Sequence, residues 1–129
     1  MNVFIVEDSE AMRESLRAML SEFHDVRIAG YAADETDAIE QVNTLLPDVV
    51  ILDLNLQSGT GVAVLKNIKK HHPEITVMVL TNCNDELYVE ACKRANADYF
   101  FDKSFQFMLV REVFSSWNKV GHMGNKLSD

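Results

Sequence analysis

Short apolar runs rich in Val and Ile alternate along the chain with longer segments in which apolar residues recur every three or four positions. The runs are Val3 to Val6, Val26 to Ala29, Val49 to Leu52, Thr76 to Leu80 and Tyr99 to Phe101. In the first interval Met12, Leu16, Met19, Leu20 and Phe23 form a stripe of helical period. Ala38, Ile39, Val42, Leu45 and Leu46 form another in the second. Both stripes are expected to face a sheet. Near-continuous apolar strands alternating with helices imply a parallel sheet covered on both faces.

The punctuation agrees with this division. Thr60 or Gly61 opens a third helix that turns Val64, Leu65 and Ile68 inward, and Pro73 ends it because proline cannot continue the ladder. Asn84 and Asp85 are cap candidates for a fourth helix carrying Leu87, Ala91, Cys92 and Ala95 on one side. Asn96 stands where a left-handed residue would end that helix. A last helix is expected from about Phe105 to about Trp117, with Val110, Val113, Phe114 and Trp117 as its stripe and Phe107, Met108 and Leu109 partly outside it. Strand and helix thus pair repeatedly through short connections, the pattern of a small doubly wound α/β domain. The polar stretch 121–129, "GHMGNKLSD", is expected to be a flexible tail or linker stub after a domain over 1–120.

Composition narrows the choice of function. A chain of 129 residues fits one domain, and 47% apolar with 25% charged residues is ordinary for a globular protein. The start, "MNVFIVEDSE", lacks a basic n-region, and no apolar run is long enough to cross a bilayer, so a cytoplasmic address without membrane contact is expected. Cys83 and Cys92 have neither disulfide-framework nor zinc spacing, and Cys92 is expected in the core. A formal net charge of −8 without a Lys/Arg cluster argues against direct nucleic-acid binding.

The unusual polar residues all fall at strand ends, where open parallel sheets place their ligand sites. Glu7 and Asp8 follow the first strand, Asp53 closes the third, Thr81 the fourth, and Lys103 follows the fifth. Crowded carboxylates repel one another unless a cation intervenes. An all-oxygen ligand set without His or Cys favours Mg²⁺. Singly, a strand-end Asp or Thr is more often a cap or turn former, and a lone Lys a solvated charge. Their joint order and spacing is far less ordinary.

The pair "ED" at 7 and 8, "ILDLNL" around Asp53, "VLTN" at Thr81 and Asn82, and "DYFFDKS" around Lys103 resemble the receiver domain of two-component response regulators, over essentially the whole chain through Trp117. The resemblance implies a flavodoxin-like five-stranded parallel sheet in order 2-1-3-4-5 with five helices. It implies that Asp53 takes a phosphoryl group from a sensor histidine kinase, a phosphotransfer protein or a small donor such as acetyl phosphate. Glu7, Asp8, Asp53 and the Asn55 carbonyl would hold Mg²⁺, Lys103 would pair with a phosphoryl oxygen, and the Thr81 hydroxyl would bond the product phosphate. Thr81 and Phe100 would form a switch reported on the face of the fourth helix, fifth strand and fifth helix, including Tyr88. Phe100 as plain core, or Tyr99 in its place, are the alternatives. A homodimer or partner contact is expected through that face.

Several positions depart from the family pattern. Ser104 replaces the usual Pro after the lysine, and a cis Lys103–Ser104 peptide is expected despite a cost of about 2.5 to 4 kcal/mol. Asn82 replaces a small residue, Gln57 replaces a frequent Pro, Asn55 and Cys83 sit where phosphoryl lifetime is tuned, and Asp102 adds an acid near the rim. Such a domain catalyses only its own phosphotransfer and dephosphorylation and is not an enzyme in the usual sense. The rivals are a phosphorylation-independent pseudo-receiver and a small Mg²⁺-dependent phosphohydrolase. The latter often needs an acid two residues after the nucleophile, where this chain has Asn55. Dinucleotide or flavin binding lacks a Gly-rich phosphate loop.

Overall fold

The computed structural model describes residues 1–82 and 85–122, the last five by backbone alone. Strands and helices alternate strictly: β1 Asn2–Val6, α1 Glu10–Leu20, β2 Arg27–Ala32, α2 Glu35–Leu45, β3 Val49–Leu52, α3 Gly61–His71, β4 Thr76–Thr81, α4 Glu86–Arg94, β5 Tyr99–Asp102 and α5 Phe107–His122. The sheet is parallel with order β2-β1-β3-β4-β5, as the resemblance implies. The expected tail over 121–129 begins within α5, and 123–129 lie outside the described residues.

Alternation along each strand builds a separate core on each side of the sheet. Phe4, Val6, Val50, Leu52, Val77 and Val79 pack with Ala38, Val42, Val64, Leu65 and Ile68 of α2 and α3. Val3, Ile5, Val49, Ile51, Met78 and Leu80 pack with Leu16, Met19, Leu20, Val110 and Phe114 of α1 and α5. Each fully buried side chain of this size contributes about 1.5–3 kcal/mol relative to exposure. These two cores fix the sheet on which the strand-end residues are mounted.

The helix starts follow their caps. Ser9, Asp34, Thr60 and Asp85 each accept a hydrogen bond from a first-turn backbone N–H. Asn84, the other cap candidate for α4, lies outside the described residues. Asn96 takes the expected left-handed conformation (φ 68°), and Cys92 is buried.

Four expectations about element bounds and burial fail. The second strand starts at Arg27 and runs past the apolar run's end at Ala29 to Ala32, with a bulge opposite Val3 and Phe4. Leu45 and Leu46 are exposed: α2 stops at Leu45, and Leu46 turns left-handed (φ 48°) to let the chain enter β3. Leu87, in the first turn of α4, is 78% exposed instead of facing the sheet. The last helix begins at Phe107, later than Phe105, because Asp102 holds 103–105 in a separate turn, and it continues past Trp117 where no proline stops it.

A half-buried lysine clamps the edge opposite the candidate site. Lys69 Nζ donates to the carbonyls of Pro73 (3.3 Å) and Ile75 (2.6 Å) and to Asp98 Oδ2 (2.7 Å), which also accepts the Val77 N–H (2.8 Å). Lys69→Met removes the cation and leaves two carbonyls and a carboxylate short of a donor. The expected loss is about 2 kcal/mol, read as a lower midpoint in urea denaturation.

Candidate functional site

Strand register brings the strand-end residues together. Val6 pairs with Leu52, Leu52 with Val79, and Thr81 with Asp102, so Glu7 and Asp53 leave adjacent strands side by side while Thr81 and Lys103 leave the next two. Backbone bonds extend the ladders to these residues: Glu7 N–H to Ala32 O (2.9 Å), Asp53 N–H to Val6 O (2.9 Å) and Lys103 N–H to Thr81 O (3.0 Å). The sheet therefore sets these residues side by side at one rim.

Asp53 is buried, and both of its carboxylate oxygens accept hydrogen bonds. Oδ1 accepts from the Thr81 hydroxyl (2.7 Å) and the Asn55 N–H (3.2 Å), and Oδ2 accepts from Lys103 Nζ (3.0 Å). Lys103 Nζ also reaches Glu7 Oε1 (2.7 Å), and Glu7 Oε2 accepts the Ser9 N–H (3.0 Å). Arg13 secures the same segment by donating to the Glu7 carbonyl (2.8 Å) while its guanidinium stacks over Tyr31.

Burial shapes the charge states. It pushes the Glu7 carboxyl above its ordinary pKa, helped by the nearby Asp53 charge and opposed by the Lys103 and Ser9 hydrogen bonds. Burial would lower Lys103, but its hydrogen bonds and attraction to Glu7 and Asp53 outweigh that and raise it, so the ammonium stays protonated. Asp8 is exposed at the mouth. Glu7, Asp8 and Asp53 each offer an oxygen, all within 4.8 Å of one another. One lysine against three acids leaves an excess of negative charge among oxygen-only donors, which fits a hard divalent cation. Asn55 lies exposed two residues beyond Asp53.

Phe100 is half-buried on the α2/α3 side of the sheet, while Tyr99 packs on the opposite side and stacks on Phe101. The expected cis peptide is absent, since none occurs among the described residues. With Ser104 in place of proline the trans form is favoured by several kcal/mol, and Asp102 Oδ1 stabilises the trans turn by accepting the N–H groups of Ser104 (2.7 Å) and Phe105 (3.2 Å). Asp102 is thus a turn former. Cys83 lies outside the described residues.

Two contributions escaped sequence reasoning. Glu35, first in α2, reaches across to accept the Thr60 N–H (3.0 Å) and lies against Gly59. With Glu35 N–H to Ser58 O (3.0 Å) and Gln57 N–H to Ala33 O (3.1 Å), it fastens the loop after Asp53. Gln106 accepts the Asp102 N–H (2.8 Å). Neither bond has a periodicity or motif that announces it.

The chain matches the response regulator receiver domain family over residues 3–114. It is 36% identical over 99 residues to a protein-glutamate methylesterase/protein-glutamine glutaminase of Hydrogenovibrio crunogenus, covering 75% of this chain and 26% of that protein. It is 28% identical over 103 residues to the DNA-binding transcriptional activator EvgA of Escherichia coli K12, covering 80% of this chain and 50% of EvgA. Among solved structures, the response regulator domain of Thermotoga maritima CheB superposes with a TM-score of 0.77 at 28% identity, covering 92% of this chain and 93% of that one. A LuxR-family DNA-binding response regulator of Staphylococcus aureus gives 0.81 at 26%, covering 91% and 98%. The chain spans at most about half the length of these curated relatives. Strand order, the acidic pocket at the strand ends and the family match over most of the chain agree: the chain belongs to the response regulator receiver domain family.

Proposed function

We propose that this domain is a phosphoacceptor switch in which Asp53 takes a phosphoryl group from a phosphohistidine of a sensor kinase or phosphotransfer protein. The observation that carries the reading is the convergence of Lys103 and Thr81 on opposite oxygens of a buried Asp53, beside two further acids. An Asp53 carboxylate oxygen attacks phosphorus in line, the P–N bond breaks, the imidazole leaves with the electron pair and takes up a proton, and an aspartyl phosphate results. Lys103 stays protonated and transfers its contact from carboxylate to phosphoryl oxygen, while the Thr81 hydroxyl donates to the new group. Glu7, Asp8, Asp53 and the Asn55 carbonyl would hold Mg²⁺, which when bound supplies the positive charge that phosphoryl oxygens require.

The signal follows from what Thr81 and Phe100 contact before and after transfer. Tyr88, Met108 and Leu109 are exposed apolar side chains on α4 and α5, and they suit this face to a partner or a second copy. Some relatives bind DNA by name, but a net charge of −8 argues against direct nucleic-acid binding by these residues. Among the described residues no helix is long and apolar enough to cross a membrane, and a cytoplasmic site of action is proposed to match a kinase donor.

Intact-mass measurement after incubation with acetyl phosphate and Mg²⁺ tests the proposal. Gain of one phosphoryl group, prevented when Mg²⁺ is chelated beforehand, is expected; an unmodified mass favours a phosphorylation-independent interaction module. Lys103→Met removes the cation that now occupies the acidic pocket. It should tighten Mg²⁺ binding about five- to tenfold in calorimetric titration while slowing phosphoryl uptake.

A further inference from the structure

Lys103 is a long, flexible side chain, yet its ammonium is held on Glu7 and Asp53 with the side chain only 10% exposed. Its base is a turn of unusual closure. The Asp102 N–H donates to Gln106 Oε1 and the Gln106 N–H to the Asp102 carbonyl, both at 2.8 Å, while Asp102 Oδ1 accepts the Ser104 and Phe105 N–H groups. An acid caps the first free N–H groups of a single helical turn, and an amide four residues on reaches back to the acid's own N–H, in the manner of a capping box. β5 is an edge strand, so without Gln106 the outward N–H of Asp102 has no protein partner.

Two bonds then fix this turn to the end of β4 and the residue after it: Lys103 N–H to Thr81 O (3.0 Å) and the Ser104 hydroxyl to Asn82 Oδ1 (3.2 Å). Asp102 is half-buried, and its Oδ1 is used twice, both times on the turn.

We propose that Asp102 and Gln106 are positioning residues: their reciprocal turn sets the direction in which Lys103 leaves β5 and so holds its ammonium in the pocket. The functional consequence rests on the phosphoacceptor reading; the aim of the lysine does not.

Amine-selective acylation read by peptide mass mapping tests the aim directly, with the exposed Lys93 as internal reference in each sample. In the wild type Lys103 should label far more slowly than Lys93. Gln106→Ala should raise the Lys103 rate about fivefold by opening the turn, and Gln106→Glu, which keeps the acceptor oxygen, should restore slow labelling. If Gln106→Ala lowers the thermal midpoint yet labels Lys103 at the wild-type rate, Gln106 serves stability alone and the proposal is overturned. Acetyl-phosphate uptake measured on the same proteins separates the two readings. Slower uptake in Gln106→Ala supports both, whereas a wild type that takes up no phosphoryl group removes the phosphoacceptor role and leaves the labelling ratio to decide the positioning.

Discussion

Asp53→Asn is expected to abolish phosphoryl uptake completely: no mass gain with acetyl phosphate and Mg²⁺ under conditions that modify the wild type. The carboxamide is not a nucleophile, and it also disorders the electrostatics of the pocket. In the wild type the carboxylate accepts from Thr81 and Asn55 on one oxygen and from Lys103 on the other. An amide can present its oxygen to only one side. With that oxygen toward Thr81, its NH₂ group would stand where Oδ2 now meets the Lys103 ammonium, donor against donor. Lys103 would then rest on Glu7 alone. Mg²⁺ affinity should fall as well, since one of three charged oxygen ligands becomes neutral. A phosphorylated Asp53→Asn protein would move the acceptor to another residue.

Gly61→Ala is expected to be the most damaging small substitution for stability. Gly61 is buried at the first position of α3, and its N–H donates to Leu54 O (3.0 Å). A Cβ there would overlap the Asp53 carbonyl oxygen and stand 2.7 Å from Leu54 Cα and 2.9 Å from the Asp53 carbonyl carbon. All three atoms belong to backbone, so no rotamer relieves the clash. The helix start and the strand end must separate, at a cost of about 3 kcal/mol and a fall of about 10 °C in melting temperature. Because two of the displaced atoms belong to Asp53 itself, phosphoryl uptake should slow beyond the effect of lost stability. Wild-type melting would mean that the α3 start can retreat from β3.

The fold was legible because its signals are local and repeat. Apolar β-branched runs, helical stripes and caps at Thr60 and Asp85 stand in contiguous sequence, and the parallel sheet they build must put Glu7, Asp53, Thr81 and Lys103 at one rim. What failed depends on distant partners. The apolar run stops at Ala29, yet a bulge lets β2 continue through Gly30 to Ala32, whose carbonyl accepts the Glu7 N–H. Leu87 fits a helical stripe but lies in a first turn that overhangs the sheet. The Lys103–Ser104 peptide is trans because Asp102 and Gln106 build a turn in which no cis bond is required. Likewise, Glu35 and Thr60 are joined by a single hydrogen bond between residues far apart in sequence, which no periodicity encodes.

Asp53, among three crowded acids, is proposed to be the one that carries the phosphoryl group. Borohydride trapping after acetyl-phosphate treatment, followed by peptide mass mapping, tests it most directly, because an aspartyl phosphate is reduced to homoserine while a free carboxylate is not. Homoserine at position 53, dependent on Mg²⁺, is the predicted result. Reduction at Asp8 or Glu7 instead, or a protein left intact throughout, would contradict it.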